Sequence, residues 1–379
     1  MKSKVILLGA TGSIGSSVLE ELREHRQHFE LVGIAAKTNL NRLAEISGEF
    51  SVKNLAISDG ESEKLHELCA DCRVFSGEQA MDELVSNIDF DIFIMAVSGL
   101  AGLRATLNAI SLKKKILIAS KEILVTAGKF LCAQAKKNNV ELLPIDSEHN
   151  AIFQCLAGED KKSLRQVWLT ASGGPFLDYD TDALDYVTPQ QALKHPTWRM
   201  GQKITIDSAT LANKGLEMIE ARWLFDLAPQ QIKVTIHRQS LVHSLVEFLD
   251  GSIIAQISEK SMRFPIRNCL FYPHRQPSSQ KTVSFSDPIN FSFEPPDEKK
   301  FPCLRLAKLC LEAGGIMPTV FNAANDTAVE LFLEDKIKFT RIPTLIEQLM
   351  NGTENFEPES IDEIITCHMA IKKIAQNLA

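Results

Sequence analysis

The chain has 379 residues, the length of two or three ordinary domains. Its composition, 45% hydrophobic and 23% charged, is that of a soluble globular protein, and its net charge of -7 excludes a general nucleic-acid binder, which carries a basic surplus. The apolar run after Met1-Lys2-Ser3-Lys4 stops at Gly9, too short for a signal-peptide core, and no stretch approaches the roughly 20 apolar residues of a membrane span, so a cytoplasmic protein that does not enter membranes is expected.

Lys4-Val5-Ile6-Leu7-Leu8 predicts a short buried strand, and residues 16–25 predict a helix. Between them stands Gly9-Ala10-Thr11-Gly12-Ser13-Ile14-Gly15. A strand, a glycine-rich turn and a helix make the setting of a dinucleotide site: the glycines admit a pyrophosphate and the helix N-terminus offers free N–H groups. A tight turn without ligand shares the pattern. The second strand, 31–36, runs into Lys37-Thr38-Asn39, where an NAD-specific fold would carry an acidic residue. A cation there suits the 2′-phosphate of NADP, although a solvated lysine would look the same. Strands at 55–57, 91–96 and 115–119 alternate with helices at 62–70 and 102–110, which predicts a parallel, doubly wound sheet. The last of these strands leads into Ser120-Lys121-Glu122. The eight cysteines include one isolated pair, Cys69 and Cys72, and are expected to be free thiols.

Val140-Glu141-Leu142-Leu143 predicts a strand running into Pro144-Ile145-Asp146-Ser147-Glu148-His149. Residues two apart on a strand point the same way, so Asp146 and Glu148 are expected to project together. From about residue 150 the pattern changes. A strand at 164–170 feeds Ala171-Ser172-Gly173-Gly174-Pro175, whose backbone can cradle a phosphate but is also an ordinary turn. His195-Pro196-Thr197-Trp198-Arg199-Met200-Gly201 suits either a lid over substrate or a loop tucked into an interface. Residues 203–207 predict a strand and Ser208 the cap of the following helix. On that helix Asn213, Lys214 and Glu217 share one face. Asp146, Glu148 and Glu217 can hold a hard divalent cation, unless the first two merely cap a strand–helix turn. Residues 234–237, 244–248 and 252–257 predict antiparallel strands whose outer face could support a dimer. A proline-rich crossing at 272–298 then leads to helices at 304–313, 323–333, 342–350 and 360–376.

These strings, with Phe321-Asn322-Ala323-Ala324-Asn325, resemble 1-deoxy-D-xylulose 5-phosphate reductoisomerases nearly end to end. The resemblance implies an α/β chain: an N-terminal Rossmann-type doubly wound parallel sheet for NADPH (1–149), a central α+β catalytic domain with its lid (150–271), a linker (272–300) and a C-terminal helical bundle (301–379). It implies magnesium or manganese on Asp146, Glu148 and Glu217, and phosphate on Ser172, Ser208, Asn213 and Lys214. Lys121, Ser147, Glu148 and His195 fall at the reacting end, with Lys121, Glu148 and His195 as the catalytic set, and Trp198 and Met200 form the lid. Gly9, Thr11, Gly12, Ser13, Ile14, Lys37, Asn39, Ser120, Glu122 and Gly201 are implied to face the cofactor, although Lys37 replaces a family glycine and Ser120 a family asparagine. The implied reaction polarises a ketone with the metal, rearranges the carbon skeleton by a retro-aldol/aldol or an alkyl shift, and reduces the aldehyde with NADPH to 2-C-methyl-D-erythritol 4-phosphate in isoprenoid biosynthesis by the non-mevalonate pathway. The substrate is a sugar phosphate, and a homodimer is expected. A different NADP-dependent dehydrogenase or a non-enzymatic dinucleotide sensor would give no use to the three carboxylates.

Overall fold

Val5, Ile6, Leu7 and Leu8 are fully buried, and the strand they form, β1 (Ser3–Leu8), sits in the middle of a parallel sheet. The structure, a computed structural model, describes residues 1–60, 62–198 and 200–378; Arg199 of the expected lid lies outside them. The other strands of this sheet are β2 (Phe29–Ala36), β3 (Asn54–Ile57), β4 (Arg73–Ser76), β5 (Ile92–Met95), β6 (Lys115–Ile118) and β7 (Leu142–Pro144). Their order, β4-β3-β2-β1-β5-β6-β7, reverses direction at β1, with β2 on one side and β5 on the other. A doubly wound sheet binds ligands beyond the C-terminal ends of its strands at such a reversal, and the Gly9 turn emerges there. Because helices cover both faces, the inner strands read as unbroken apolar runs rather than alternating ones. β4 escaped the sequence reading: it is four residues long, lies at the sheet edge and is largely exposed.

The contacts divide the chain into two units. The first contains residues 1–123, 129–150 and 261–279. The segment 261–279, which the sequence reading divides between a catalytic domain and a linker, therefore packs with the dinucleotide-type sheet. Its helix Arg263–Phe271 brings Arg267, 5% exposed, onto the fully buried Glu21 of helix Ser13–Glu24, with Nε–Oε2 at 2.7 Å and Nη2–Oε1 at 3.0 Å. Arg263 joins the same carboxylate. A buried charge must find a partner, and here a distant segment supplies it.

The second unit contains residues 124–128, 151–260 and 280–379. Its four-stranded sheet comprises β8 (Leu164–Ala171), β9 (Ile232–Ile236), β10 (Val242–Phe248) and β11 (Ile253–Ile257), in the order β11-β10-β8-β9. β9 and β10 do not pair with each other as the sequence reading expects. β8 lies between them, antiparallel to β10 and parallel to β9. His243, expected in a connection, is buried within β10.

Residues 203–207 do not form a strand: they belong to the helix Gln202–Ala209. Ile204, Thr205 and Ile206 favour strands by propensity, but Lys203 and Asp207 pair at helical i,i+4 spacing, with Nζ–Oδ2 at 2.9 Å. Ser208 is consequently inside this helix and caps nothing. The next helix, Ala212–Phe225, starts after Leu211 in a left-handed conformation. Residues 280–300 cross the surface without a helix, tied by a bridge between Ile236 and Glu294. Helices Pro302–Ala313, Met317–Leu333, Arg341–Asn351 and Ile361–Asn377 follow. The second begins six residues before the position expected for it, because Pro318 lies in its first turn, where a missing N–H costs nothing.

Candidate active site

In the first unit, Gly9 leaves β1 with φ of +83°, and a Cβ there would fall 2.2 Å from the Ala96 carbonyl oxygen. A Cβ on Gly15 would fall 2.2 Å from the Gly9 carbonyl oxygen. The backbone thus folds on itself at a radius only glycine permits. Gly12 stands at the N-cap of helix Ser13–Glu24 with no side chain capping it. Gly12 and Ser13 are exposed, with Thr11 and Ile14 half-buried beside them. This cradle fits a pyrophosphate: open N–H groups, a positive helix end and no side chain in the way. Lys37 and Asn39 follow β2; both are exposed, and Asn39 caps helix Leu40–Phe50 by accepting from the Arg42 N–H at 3.1 Å.

Asp146 and Glu148 do not project from one strand. β7 ends at Pro144, and Glu148 lies in the first turn of helix Ser147–Cys155. The turn still brings the two carboxylates within 4.8 Å of each other. The Glu148 N–H donates to Asp146 Oδ1 at 3.2 Å, and the Ser147 hydroxyl donates to Glu148 Oε2 at 3.0 Å. Lys121, buried at the start of helix Lys121–Asn138, places Nζ 2.9 Å from Asp146 Oδ2. Beside it the Ser120 hydroxyl donates to Glu122 Oε2 at 3.1 Å. His149 Nδ1 lies 3.1 Å from Asp146 Oδ1. Burial alone would raise the Asp146 carboxyl, but the Lys121 ammonium and His149 outweigh it and hold it well below the usual carboxylate range. The sequence reading gives His149 no role; its i+3 spacing from Asp146 at a helix start is the signal that marks it.

In the second unit, β8 delivers Ser172 and two glycines with positive φ, +87° at Gly173 and +71° at Gly174. His195 Nε2 lies 3.1 Å from Ser172 Oγ and 2.9 Å from Ser208 Oγ. Its Nδ1 accepts from the N–H groups of Thr197 and Trp198, at 3.2 and 2.9 Å. Two donors on Nδ1 leave the proton of the neutral ring on Nε2, pointed at the serines. Burial pushes the His195 pKa down to about 4, so the ring is neutral at pH 7. Trp198 is half-buried with its ring edge-on to His243, centroids 6.2 Å apart; Met200 is half-buried, and the exposed Gly201 caps helix Gln202–Ala209. On helix Ala212–Phe225, Glu217 accepts from Asn213 Nδ2 at 2.5 Å and pairs with the Lys214 ammonium. Lys214 and Glu217 are both almost fully buried. The expected face exists, and its members are bonded to one another.

The first unit thus carries a glycine cradle that suits a dinucleotide and a carboxylate pair with a lysine that suits a divalent cation, and the second carries a histidine between two serines that suits an anion. Three family descriptions match the chain: 1-deoxy-D-xylulose 5-phosphate reductoisomerase over residues 5–128, that enzyme's C-terminal domain over 142–225, and the DXP reductoisomerase C-terminal domain over 257–374. The 1-deoxy-D-xylulose 5-phosphate reductoisomerase of Thermoanaerobacter sp. (strain X514) is 45% identical over 377 residues, covering 98% of each chain. The Zymomonas mobilis enzyme in complex with NADPH superimposes with a TM-score of 0.93 at 37% identity, over 100% of this chain and 99% of that one. A DOX-P reductoisomerase in complex with NADPH, fosmidomycin and magnesium gives 0.94 at 36% identity, over 99% and 98%. Identity at this level along essentially the whole length means that the chain belongs to the 1-deoxy-D-xylulose 5-phosphate reductoisomerase family.

Proposed function

We propose that the chain catalyses the NADPH- and divalent-metal-dependent rearrangement and reduction of 1-deoxy-D-xylulose 5-phosphate to 2-C-methyl-D-erythritol 4-phosphate, a step of isoprenoid precursor biosynthesis by the non-mevalonate pathway. Family membership over the full length carries this reading, and the chemistry of the residues fits each ligand. Carboxylate oxygens from Asp146, Glu148 and Glu217 are the hard donors that magnesium or manganese prefers. When bound, that ion supplies Lewis-acid polarisation of the ketone and steadies negative charge on the neighbouring oxygen. Lys121 sets its ammonium beside Asp146, where it can donate to a substrate oxygen, and Ser147 orients Glu148. Ser172, Ser208, Asn213 and Lys214 bind the phosphate; His195, expected in the catalytic set at the reacting end, is read here with the phosphate instead, because its Nε2–H points between the two serines. That phosphate takes no part in bond making, so its binding energy serves orientation. The Gly9–Ile14 turn takes the pyrophosphate of NADPH, Lys37 and Asn39 its adenosine end, and Ser120, Glu122 and Gly201 the nicotinamide side. Consumption of NADPH on adding 1-deoxy-D-xylulose 5-phosphate, abolished by a chelator and restored by magnesium or manganese, is the expected result; oxidation that ignores the chelator would refute the metal's part.

Trp198 and Met200 close over the sugar phosphate and exclude water. Trp198→Ala is expected to raise KM for the sugar phosphate about tenfold, the worth of one large apolar contact, and to leave KM for NADPH almost unchanged. Equal changes in both constants would count against a lid.

The homodimer belongs to the same proposal. β11 is an edge strand on which Ile253, Ile254 and Ile257 are 54%, 39% and 36% exposed, with Leu249 exposed before it. An open apolar edge invites pairing, and a second copy would cover it. A sedimenting mass of one 42.1 kDa chain at micromolar concentration would exclude the dimer. A cytoplasmic location is supported by eight cysteines that are all free thiols. No helix among the described residues is long and apolar enough to cross a membrane.

A further inference from the structure

We infer that a polar lock, made by the buried Asp207 and Asn325 with the partly exposed Lys203 and Asp326, sets the position of Ser208, and that Asn325 is a positioning residue for the substrate's phosphate. The inference rests on the proposed reading of Ser172, His195 and Ser208 as the phosphate pocket.

The helix Gln202–Ala209 has only eight residues, and its centre, Ile204-Thr205-Ile206, resists helix formation. A helix so short is not stable by its own hydrogen bonds and needs an anchor. Asp207 is that anchor. It is 1% exposed; its Oδ1 accepts from Asn325 Nδ2 at 2.7 Å, and its Oδ2 lies 2.9 Å from the Lys203 ammonium. Lys203 Nζ also reaches Asp326 Oδ1 at 3.1 Å. Two neighbouring side chains of the helix Met317–Leu333 thereby hold both ends of the charged pair on the short helix.

Ser208 follows Asp207 directly, and its hydroxyl meets His195 Nε2. The same helix end is pressed onto the Ser172 loop: a Cβ on Gly174 would lie 2.8 Å from the Ser208 carbonyl oxygen and 3.0 Å from Ala209 Cα. The depth at which Asp207 is held therefore decides where the Ser208 hydroxyl stands relative to Ser172 and His195. The lock is not explained as packing. Asn325 is fully buried, and its Oδ1 has no hydrogen-bond partner; Asn322, one turn earlier and equally buried, has none for either amide atom among the described residues. Burying amides this poorly satisfied costs stability that an apolar side chain would spare. What Asn325 does supply is one donor, aimed at Asp207.

The test compares Asn325→Leu, Asn325→Asp and Ser208→Ala with the unaltered enzyme. It measures KM for 1-deoxy-D-xylulose 5-phosphate, KM for NADPH, kcat, and inhibition by inorganic phosphate competing with the sugar phosphate. Asn325→Leu is expected to weaken both the sugar phosphate and inorganic phosphate about tenfold, the loss of one hydrogen bond to a charged group, with KM for NADPH unchanged. In Asn325→Asp the new carboxyl can donate to Asp207 only while the pair holds a proton. Its affinity for phosphate is expected to approach the unaltered enzyme's at low pH and to fall away from it as pH rises, a profile that simple loss of packing would not produce. This near-isosteric variant also carries the test if Asn325→Leu does not fold. If Ser208→Ala weakens phosphate while both Asn325 variants match the unaltered enzyme at every pH, the lock is refuted. If Ser208→Ala itself leaves phosphate inhibition unchanged, the pocket assignment fails, and the inference falls with it.

Discussion

Replacing Glu217 by glutamine is expected to lower turnover about 10³-fold while the fold and NADPH affinity stay intact, because a Lewis-acid ion contributes several kcal/mol to such a reaction and a ligand's charge is removed. The amide is nearly isosteric and keeps an oxygen for one of Asn213 and Lys214, which now donate to separate oxygens of the carboxylate, and its NH2 group takes the place of the other oxygen. What it loses is the negative charge that a divalent cation requires. The expected signature is a rise in the magnesium or manganese concentration needed for half-maximal activity, with unchanged circular dichroism and unchanged quenching on NADPH titration. Near-normal activity at ordinary metal concentration would remove Glu217 from the site.

Glu21→Ala tests the other half of the chain and acts on stability rather than on chemistry. Glu21 is fully buried and accepts from two arginines, of which Arg267 is itself nearly buried. Its removal leaves that guanidinium without its main counter-charge, a change that costs about 3–5 kcal/mol. Glu24, on the same helix and partly exposed, touches the same arginines, but the pairs it makes are screened by water. Glu24→Ala is expected to cost about 1 kcal/mol or less. Urea unfolding of the two variants would separate them, and equal midpoints would show that the buried cluster is not what holds helix Arg263–Phe271 in place.

Local signals were enough for some parts of this molecule. β1, its glycine turn and the following helix are legible because each depends on neighbours within a few residues: an apolar run, glycines where a Cβ would strike a carbonyl, and an amphipathic stretch. The shared face of Asn213, Lys214 and Glu217 is legible for the same reason, since helical spacing alone dictates it. The errors lie where distant residues overrule local preference. Residues 203–207 alternate like a strand, but Asp207 finds Asn325 more than a hundred positions later and is held in a helix. The closeness of Asp146 and Glu148 was anticipated for the wrong reason. The strand stops at Pro144, tolerable at a sheet edge because no N–H is needed there, and the first turn of a helix brings the carboxylates together. Nothing in the proline-rich composition after residue 272 reveals that 261–279 folds with the first sheet; that follows from distant partners, Glu21 for Arg267, Lys115 for the Leu270 and Tyr272 carbonyls, and Phe29 for Phe271.

The first unit is assembled from three separate pieces of chain, the last of them beginning at Ser261. A truncated protein ending near residue 150 would therefore keep every strand of the dinucleotide-type sheet yet discard the helix Arg263–Phe271, which covers Glu21 with Arg263 and Arg267 and packs Phe271 against His25, His28 and Phe29. Such a fragment would be poorly soluble because the apolar surface under that helix, Phe29 included, would meet water, while Glu21 itself would be hydrated. A ribosome emitting this chain imposes the same delay, because the first unit, whose strands are all made by Pro144, lacks its last piece until more than two-thirds of the polypeptide has left the tunnel.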